Sequence, residues 1–159
     1  MGKVVHLYTD GACRGNPGPG GCAALLMYGT HKKEMACGYA ATTNNRMELQ
    51  AVILGLKILK EPCEVVIFSD SKYVVDSVQK GWLKGWKLKG WKTSQKKPVA
   101  NRDLWECIDT LMIQHRCQFE WVKGHATNPF NNRCDELAVE AAARDSLQID
   151  EGFIIAEEA

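Results

Sequence analysis

Three β-rich runs fill most of the chain up to Thr42: Val4 to Thr9, then GGCAALLMYG, then KKEMACGYAAT, the last two parted by no more than Gly29 to His31. So short a gap leaves room only for a hairpin, so the first third of the chain is expected to form an antiparallel meander. From Asn45 the period changes. Met47, Ala51, Leu54 and Ile58 recur at helical spacing, and EPC at 61 to 63 ends the helix. EVVIFSD is continuously apolar, as in a strand buried on both faces. Helical spacing returns in SKYVVDSVQK and in RDLWECIDTLMIQH, where Leu104, Ile108, Leu111 and Met112 share a face. RCQFEWV is a further strand and NNRCDELAVEAAARD a last helix. The expected order is β-β-β-α-β-α-α-β-α, a mixed sheet with helices packed on it in one α/β domain, which 159 residues with 45% apolar content suffice to build.

Seven cysteines, at 13, 22, 37, 63, 107, 117 and 134, include no CxxC pair and no histidine at zinc-finger spacing. A disulfide framework and a structural zinc are therefore not indicated. The N-terminus lacks a long apolar signal core, and no segment approaches the roughly 20 apolar residues of a membrane helix. A cytoplasmic monomer without membrane partners is the expectation. The chain divides into a domain over residues 1–145 and a tail over 146–159, acidic with an apolar knot at Phe153 to Ile155, that is expected to be loosely attached.

Four carboxylates each have an ordinary explanation. Asp10 precedes Gly11 in a turn-like step, Glu48 follows Asn45 at capping-box spacing, Asp70 is placed to cap a helix, and Asp135 falls in the expected first turn of the last helix. Their joint pattern says more. Glu48 borders the Met47, Ala51, Leu54 stripe and Asp135 runs with Ala138 and Ala142, whereas Glu136, Glu140 and Arg144 share the outer face. Acids gathered at strand ends repel one another, and a divalent cation offsets that repulsion. Oxygen-only ligands suit Mg²⁺ or Mn²⁺ better than zinc.

The segments YTDGACRGNPGPGG, TTNNRMELQA, FSDSKYV and WVKGHATNPFNNRCDELA resemble the signature segments of bacterial ribonuclease H type 1, in the family's order and across nearly the whole chain. The resemblance implies a five-stranded mixed sheet flanked by helices, three antiparallel strands followed by two parallel to the first. It implies that Asp10, Glu48, Asp70 and Asp135 hold two Mg²⁺ ions, for which Mn²⁺ can substitute. The implied activity is hydrolysis of the RNA strand of RNA/DNA hybrids, leaving 5′-phosphate and 3′-hydroxyl ends. His125, in KGHATN, would assist proton transfer or release of the cleaved phosphate, because an imidazole titrates near neutrality.

Between Ser77 and Arg102 the chain carries Lys80, Lys84, Lys87, Lys89, Lys92, Lys96 and Lys97, with no acidic residue, and Trp82, Trp86 and Trp91 stand among the lysines. That mixture favours a nucleic-acid surface over a merely solvated helix face. The region resembles the family's basic protrusion, with Trp82, Trp86, Lys87 and Lys89 as the expected contacts to the DNA strand. Cys13, Asn16, Asn44 and Asn45 resemble the family's minor-groove contacts, where the 2′-hydroxyl distinguishes RNA from DNA. Thr43 and Asn101 resemble a pocket for a DNA phosphate. The glycines at 11, 15, 18, 20 and 21 are expected to let a duplex approach Asp10. Three departures from the family pattern bear on affinity: Lys72 where relatives often have glutamine, Ala41 where some have arginine, and Gly81 as an added residue before Trp82.

Overall fold

The computed structural model describes residues 4–124 and 128–153. Its elements run β1 (Val4–Cys13), β2 (Gly18–Tyr28), β3 (His31–Thr42), α1 (Asn44–Lys57), β4 (Glu64–Ser69), α2 (Lys72–Gln79), α3 (Trp82–Leu88), α4 (Arg102–Gln114), β5 (Arg116–Trp121) and α5 (Pro129–Ala142). The sheet order is β3-β2-β1-β4-β5. β2 is antiparallel to β1 and β3, whereas β4 is parallel to β1 and β5 to β4, the mixed sheet that the sequence implies. The parallel register sets Tyr8 beside Phe68, so Asp10 and Asp70, each two residues further on, arrive at the same end of the sheet.

α1 and α5 lie on opposite faces. On the α1 side, Leu7, Val65 and Ile67 meet Leu49, Val52, Leu56, Trp105 and Ile108 in the larger core. On the α5 side, Tyr8, Ala23 and Leu25 pack on Cys134 and Ala138. α1 is buried on most of its circumference, with Arg46, Leu49, Val52 and Ile53 enclosed as well as Met47 and Ala51. The Met47, Ala51, Leu54, Ile58 stripe therefore marks only one part of its buried surface, and Leu54 and Ile58 are only half-buried.

Several boundaries depart from the sequence expectation. β1 does not turn at Asp10 but continues to Cys13, with Asp10 opposite Ala23 and Gly11 opposite Cys22. Gly11 and Gly21 serve the protein's own helices. A Cβ on Gly11 would stand 2.6 Å from the Glu48 amide nitrogen, and one on Gly21 would fall onto the Ala138 carbonyl oxygen. An extra short helix, α3, breaks the lysine-rich stretch, entered through Gly81 at φ 77, a left-handed angle that a side chain disfavours. α5 starts at Pro129 with Asn128 accepting from the Phe130 and Asn131 amides, which places Asp135 in its second turn and not its first.

The segment after α5 is not loose through residue 153. Gln148 bridges to β3, its amide donating to the Gly38 carbonyl at 2.9 Å and its carbonyl accepting from the Ala40 amide at 2.8 Å. Asp150, 5% exposed, accepts from Arg46 Nε at 2.7 Å and from Thr42 Oγ1 at 2.6 Å.

Trp105 is the largest fully buried side chain. Its indole donates to the Tyr73 hydroxyl at 2.9 Å and meets Trp86 edge-on, so it ties α4 to α2 and to the base of α3. Trp105→Ala is expected to cost about 3–5 kcal/mol, read from the denaturant midpoint.

Candidate active site

Asp10 comes from the buried C-terminal half of β1, Glu48 from the second turn of α1 and Asp70 from the residue after β4, and one oxygen of each lies within 4.8 Å of the others. Local structure explains why these three meet. The capping that the sequence suggested for Glu48 and Asp70 is done by other residues: Thr43 Oγ1 accepts from the Arg46 amide at the start of α1, and Ser71 Oγ from the Val74 amide at the start of α2. Both carboxylates are thereby released toward the sheet end. Gly11 lets the α1 backbone rest on β1, which brings Glu48 over Asp10. Gly124 passes against Asp70, where a Cβ would lie 2.9 Å from its Oδ2. Trp121 Nε1 donates to the Asp70 carbonyl at 3.2 Å.

Asp10 and Glu48 are each 4% exposed. Burial first, then the Asp70 and Asp135 charges, push the Asp10 carboxyl up to about 8, while the Gly11 amide, 2.9 Å from Oδ1, works against the rise. Burial likewise raises Glu48 well above the carboxylate range, with Asp10 and Asp70 adding to the effect. Glu48 Oε1 is buried without a hydrogen-bond partner. Asp135, half-buried on α5, stands outside the 4.8 Å group, yet its charge is felt at Asp10. His125 lies outside the described residues.

The expected substrate residues fall into two neighbourhoods. In the first, Cys13 Sγ donates to the Gly18 and Thr42 carbonyls at 3.4 and 3.5 Å, Asn16 Oδ1 accepts from the Asn44 amide at 3.0 Å, and Asn45 lies exposed on the same helix turn. Thr43 and Asn101 border this area and share Arg46: Thr43 Oγ1 binds its amide, and Asn101 Oδ1 its Nη1 at 3.4 Å. Ala41 is exposed nearby in β3.

The second neighbourhood is α3 and its flanks. Trp82 is 43% exposed with the Lys80 ammonium 5.8 Å from its ring, whereas Trp86 packs on Trp105. Lys87 pairs with Asp109 at 3.0 Å, and Lys89 is exposed. Trp86 is thus chiefly a support and Trp82 a presented surface. Lys72 lies apart from both, its ammonium 4.9 Å over the Trp121 ring beside Asp70.

Sequence reading missed Arg46, which is 2% exposed between Asp103 and Asp150. Its helical phase with Leu49 and Ile53 was the available signal. Asp150 gave no local signal at all.

The RNase H family profile matches residues 2–143. A Ribonuclease H of Tolumonas auensis is 54% identical over 153 residues, spanning 96% of this chain and 99% of the relative. One of Aeromonas hydrophila is 52% identical over the same shares of both chains. Among solved structures, LC9-RNase H1 superposes with a TM-score of 0.80 at 31% identity, over 89% of this chain and 73% of that one. LC11-RNase H1 in complex with an RNA/DNA hybrid gives a TM-score of 0.67 at 24% identity, over 87% and 96% of the two chains, a likeness of fold. With the profile covering nearly the whole sequence and the carboxylates meeting at the end of a shared sheet, the chain belongs to the RNase H family.

Proposed function

We propose that this protein is an endonuclease that hydrolyses the RNA strand of RNA/DNA hybrids, leaving 5′-phosphate and 3′-hydroxyl ends. The observation that carries the reading is the convergence of Asp10, Glu48 and Asp70 from three separate elements at one end of the sheet. Asn16 and Asn44 flank that end, joined by a hydrogen bond.

The donor set fits divalent cations. Its oxygens are hard ligands, no histidine or cysteine among the described residues belongs to it, and the orphaned Glu48 Oε1 is a buried acceptor awaiting a positive partner. We assign Asp10, Glu48, Asp70 and Asp135 as the residues that would hold two Mg²⁺ ions with substrate, Mn²⁺ substituting. Bound there, the metal supplies an activated water and offsets charge on the phosphate and on the departing 3′ oxygen.

The remaining roles belong to the chain's own groups. Glu48 and Asp10 lie close enough to share a proton when no cation is bound, which keeps the buried pair from carrying two full charges. Cys13, Asn16, Asn44 and Asn45 would meet the minor groove, where an amide can both donate to and accept from a 2′-hydroxyl. Thr43 and Asn101 would receive a DNA phosphate. Trp82 would stack on the DNA strand while Lys89 neutralises phosphate, and His125 would handle the proton or the departing phosphate. Seven free thiols suit the reducing cytoplasm.

Labelled duplexes with Mg²⁺ test the activity: internal cuts should be confined to the RNA strand of the hybrid, and equal cutting of DNA/DNA would overturn the reading. Asp10→Asn should abolish cleavage and leave hybrid binding largely intact, measured by filter binding. Lys89→Ala should lower the slope of log affinity against log salt by about 1. Lys87→Ala should lower it less, because Lys87 must leave Asp109 to reach a phosphate.

A pH series on the metal-free protein checks the site directly. Because the Asp10 carboxyl is raised to about 8, the folded chain holds a proton that the unfolded chain releases above about pH 4. Stability should therefore fall as pH rises through that window, most of it being lost before pH 8. Glu48→Gln should flatten the trend, and millimolar Mg²⁺ or Mn²⁺ should raise the melting temperature more at pH 8 than at pH 5.

A further inference from the structure

The segment following α5 plays no part in the reading above, yet it delivers a buried carboxylate to the start of α1. Asp150 Oδ2 accepts from Arg46 Nε at 2.7 Å, and Oδ1 from Nη2 at 3.0 Å. Asp103 takes the other edge of the same guanidinium, with Nη1 to Oδ1 at 2.9 Å and Nη2 to Oδ2 at 2.6 Å. Asp150 Oδ2 also accepts from Thr42 Oγ1, in the residue just before the Thr43 cap. The fit leaves no slack, since a Cβ on Gly152 would collide with Asp103 and Arg46. The strap crosses the place where β3 ends, α1 begins and α4 begins.

We propose that Asp150 is a positioning residue for hybrid binding: through Arg46 and Thr42 it fixes the first turn of α1 and the Asn101 corner, setting Thr43, Asn44 and Asn101 against the duplex. The inference rests on the proposed function and names residues that act on binding, not on the chemistry. Two independent anchors explain that division. Glu48 is held by the contact of the α1 backbone with Gly11, one turn beyond the strap. Thr43 and Asn44 are held by the Thr42–Asp150 and Arg46–Asp150 bonds on one side and by the Asn16 side-chain oxygen on the other. Arg46 also carries Asn101, whose left-handed φ of 60 is a conformation that needs outside support. Loss of Asp150 leaves the guanidinium neutralised by Asp103 but free to swing toward it, taking the α1 entry along.

The test is steady-state cleavage of a labelled hybrid by the full-length chain with saturating Mg²⁺. Asp150→Ala should raise KM about tenfold with kcat within about twofold, the signature of lost binding without lost transition-state contact. Thr42→Val, which deletes one hydrogen bond and keeps the ion pair, should shift KM in the same direction by a smaller factor and guards against outright misfolding of the first variant. Asp150→Asn, which keeps one acceptor oxygen for Thr42 Oγ1 and Arg46 Nε but sets an NH2 donor against Nη2, should recover part of the loss relative to Asp150→Ala. Leu56→Ala, at the buried far end of α1, lowers the melting temperature without touching the strap and should leave KM unchanged. An unchanged KM in Asp150→Ala, or an equal rise in Leu56→Ala, would reduce the strap to a stabilising clamp. A fall in kcat at constant KM would move its influence to Glu48 and overturn the proposal. Absence of hybrid cleavage by the unmodified protein would instead sink the functional reading itself.

Discussion

The structure is organised around a repulsion that it does not relieve from within. Two carboxyl groups that are almost fully buried, with a third beside them, occupy one end of the sheet. Isolated in a low-dielectric setting, such groups take up protons, which is the direction in which both Asp10 and Glu48 move. A fold can sustain this only if the backbone beneath is rigid, and here it is. Asp10 sits inside a strand, paired with Ala23 of β2 and two residues past the last pair with β4, not in a turn, and Glu48 sits on a helix enclosed on most sides. Strain in the site therefore cannot be released by moving the carboxylates apart, and a cation or a proton must supply what is missing.

The glycines explain how the carboxylates come so close. A helix laid on a sheet ordinarily stands about 10 Å away on a cushion of side chains. At Gly11 that cushion is absent, so the Met47–Glu48 peptide lies directly on β1. On the other face Gly21 and Gly38 let α5 settle in the same way, against Ala138 and Ala141. The glycine-rich entry segment thus controls the distance between elements of the protein itself. Gly15 and Asn16, in its outer loop, are exposed.

What the sequence disclosed follows from the range over which each signal acts. Strand and helix order was legible because periodicity is local, and Asp10, Asp70 and Glu48 were legible as acids placed at element ends beside apolar runs. Helix starts were less so. Asn45 and Asp70 have the chemistry of caps, but Thr43 and Ser71, equally able, occupy the cap positions, and the choice depends on where the preceding strand stops. α3 was hidden by composition: its lysines and Gly85 weaken helical patterning, and Leu83 is its one buried residue. Asp150 was beyond reach, since an acidic residue near a terminus reads as solvated and its partner lies 104 residues away. The burial of that carboxylate follows only from the burial of Arg46.

Arg46 and Glu48 show how one helix turn separates opposite charges. Two residues along an α-helix rotate a side chain by about 200°, so a buried cation and a buried acid two positions apart face nearly opposite ways. Had Arg46 bent toward Glu48 it would have neutralised the carboxylate cluster and left it no appetite for a metal. Asp103 and Asp150 hold both edges of the guanidinium on the far side of the helix. A buried ion pair adds little net stability once desolvation is counted, and breaking one is expensive. The value of this one lies in where it keeps the positive charge: the same turn of α1 is electrically satisfied toward α4 and the C-terminal segment, and electrically unsatisfied toward the sheet end where the phosphodiester would lie.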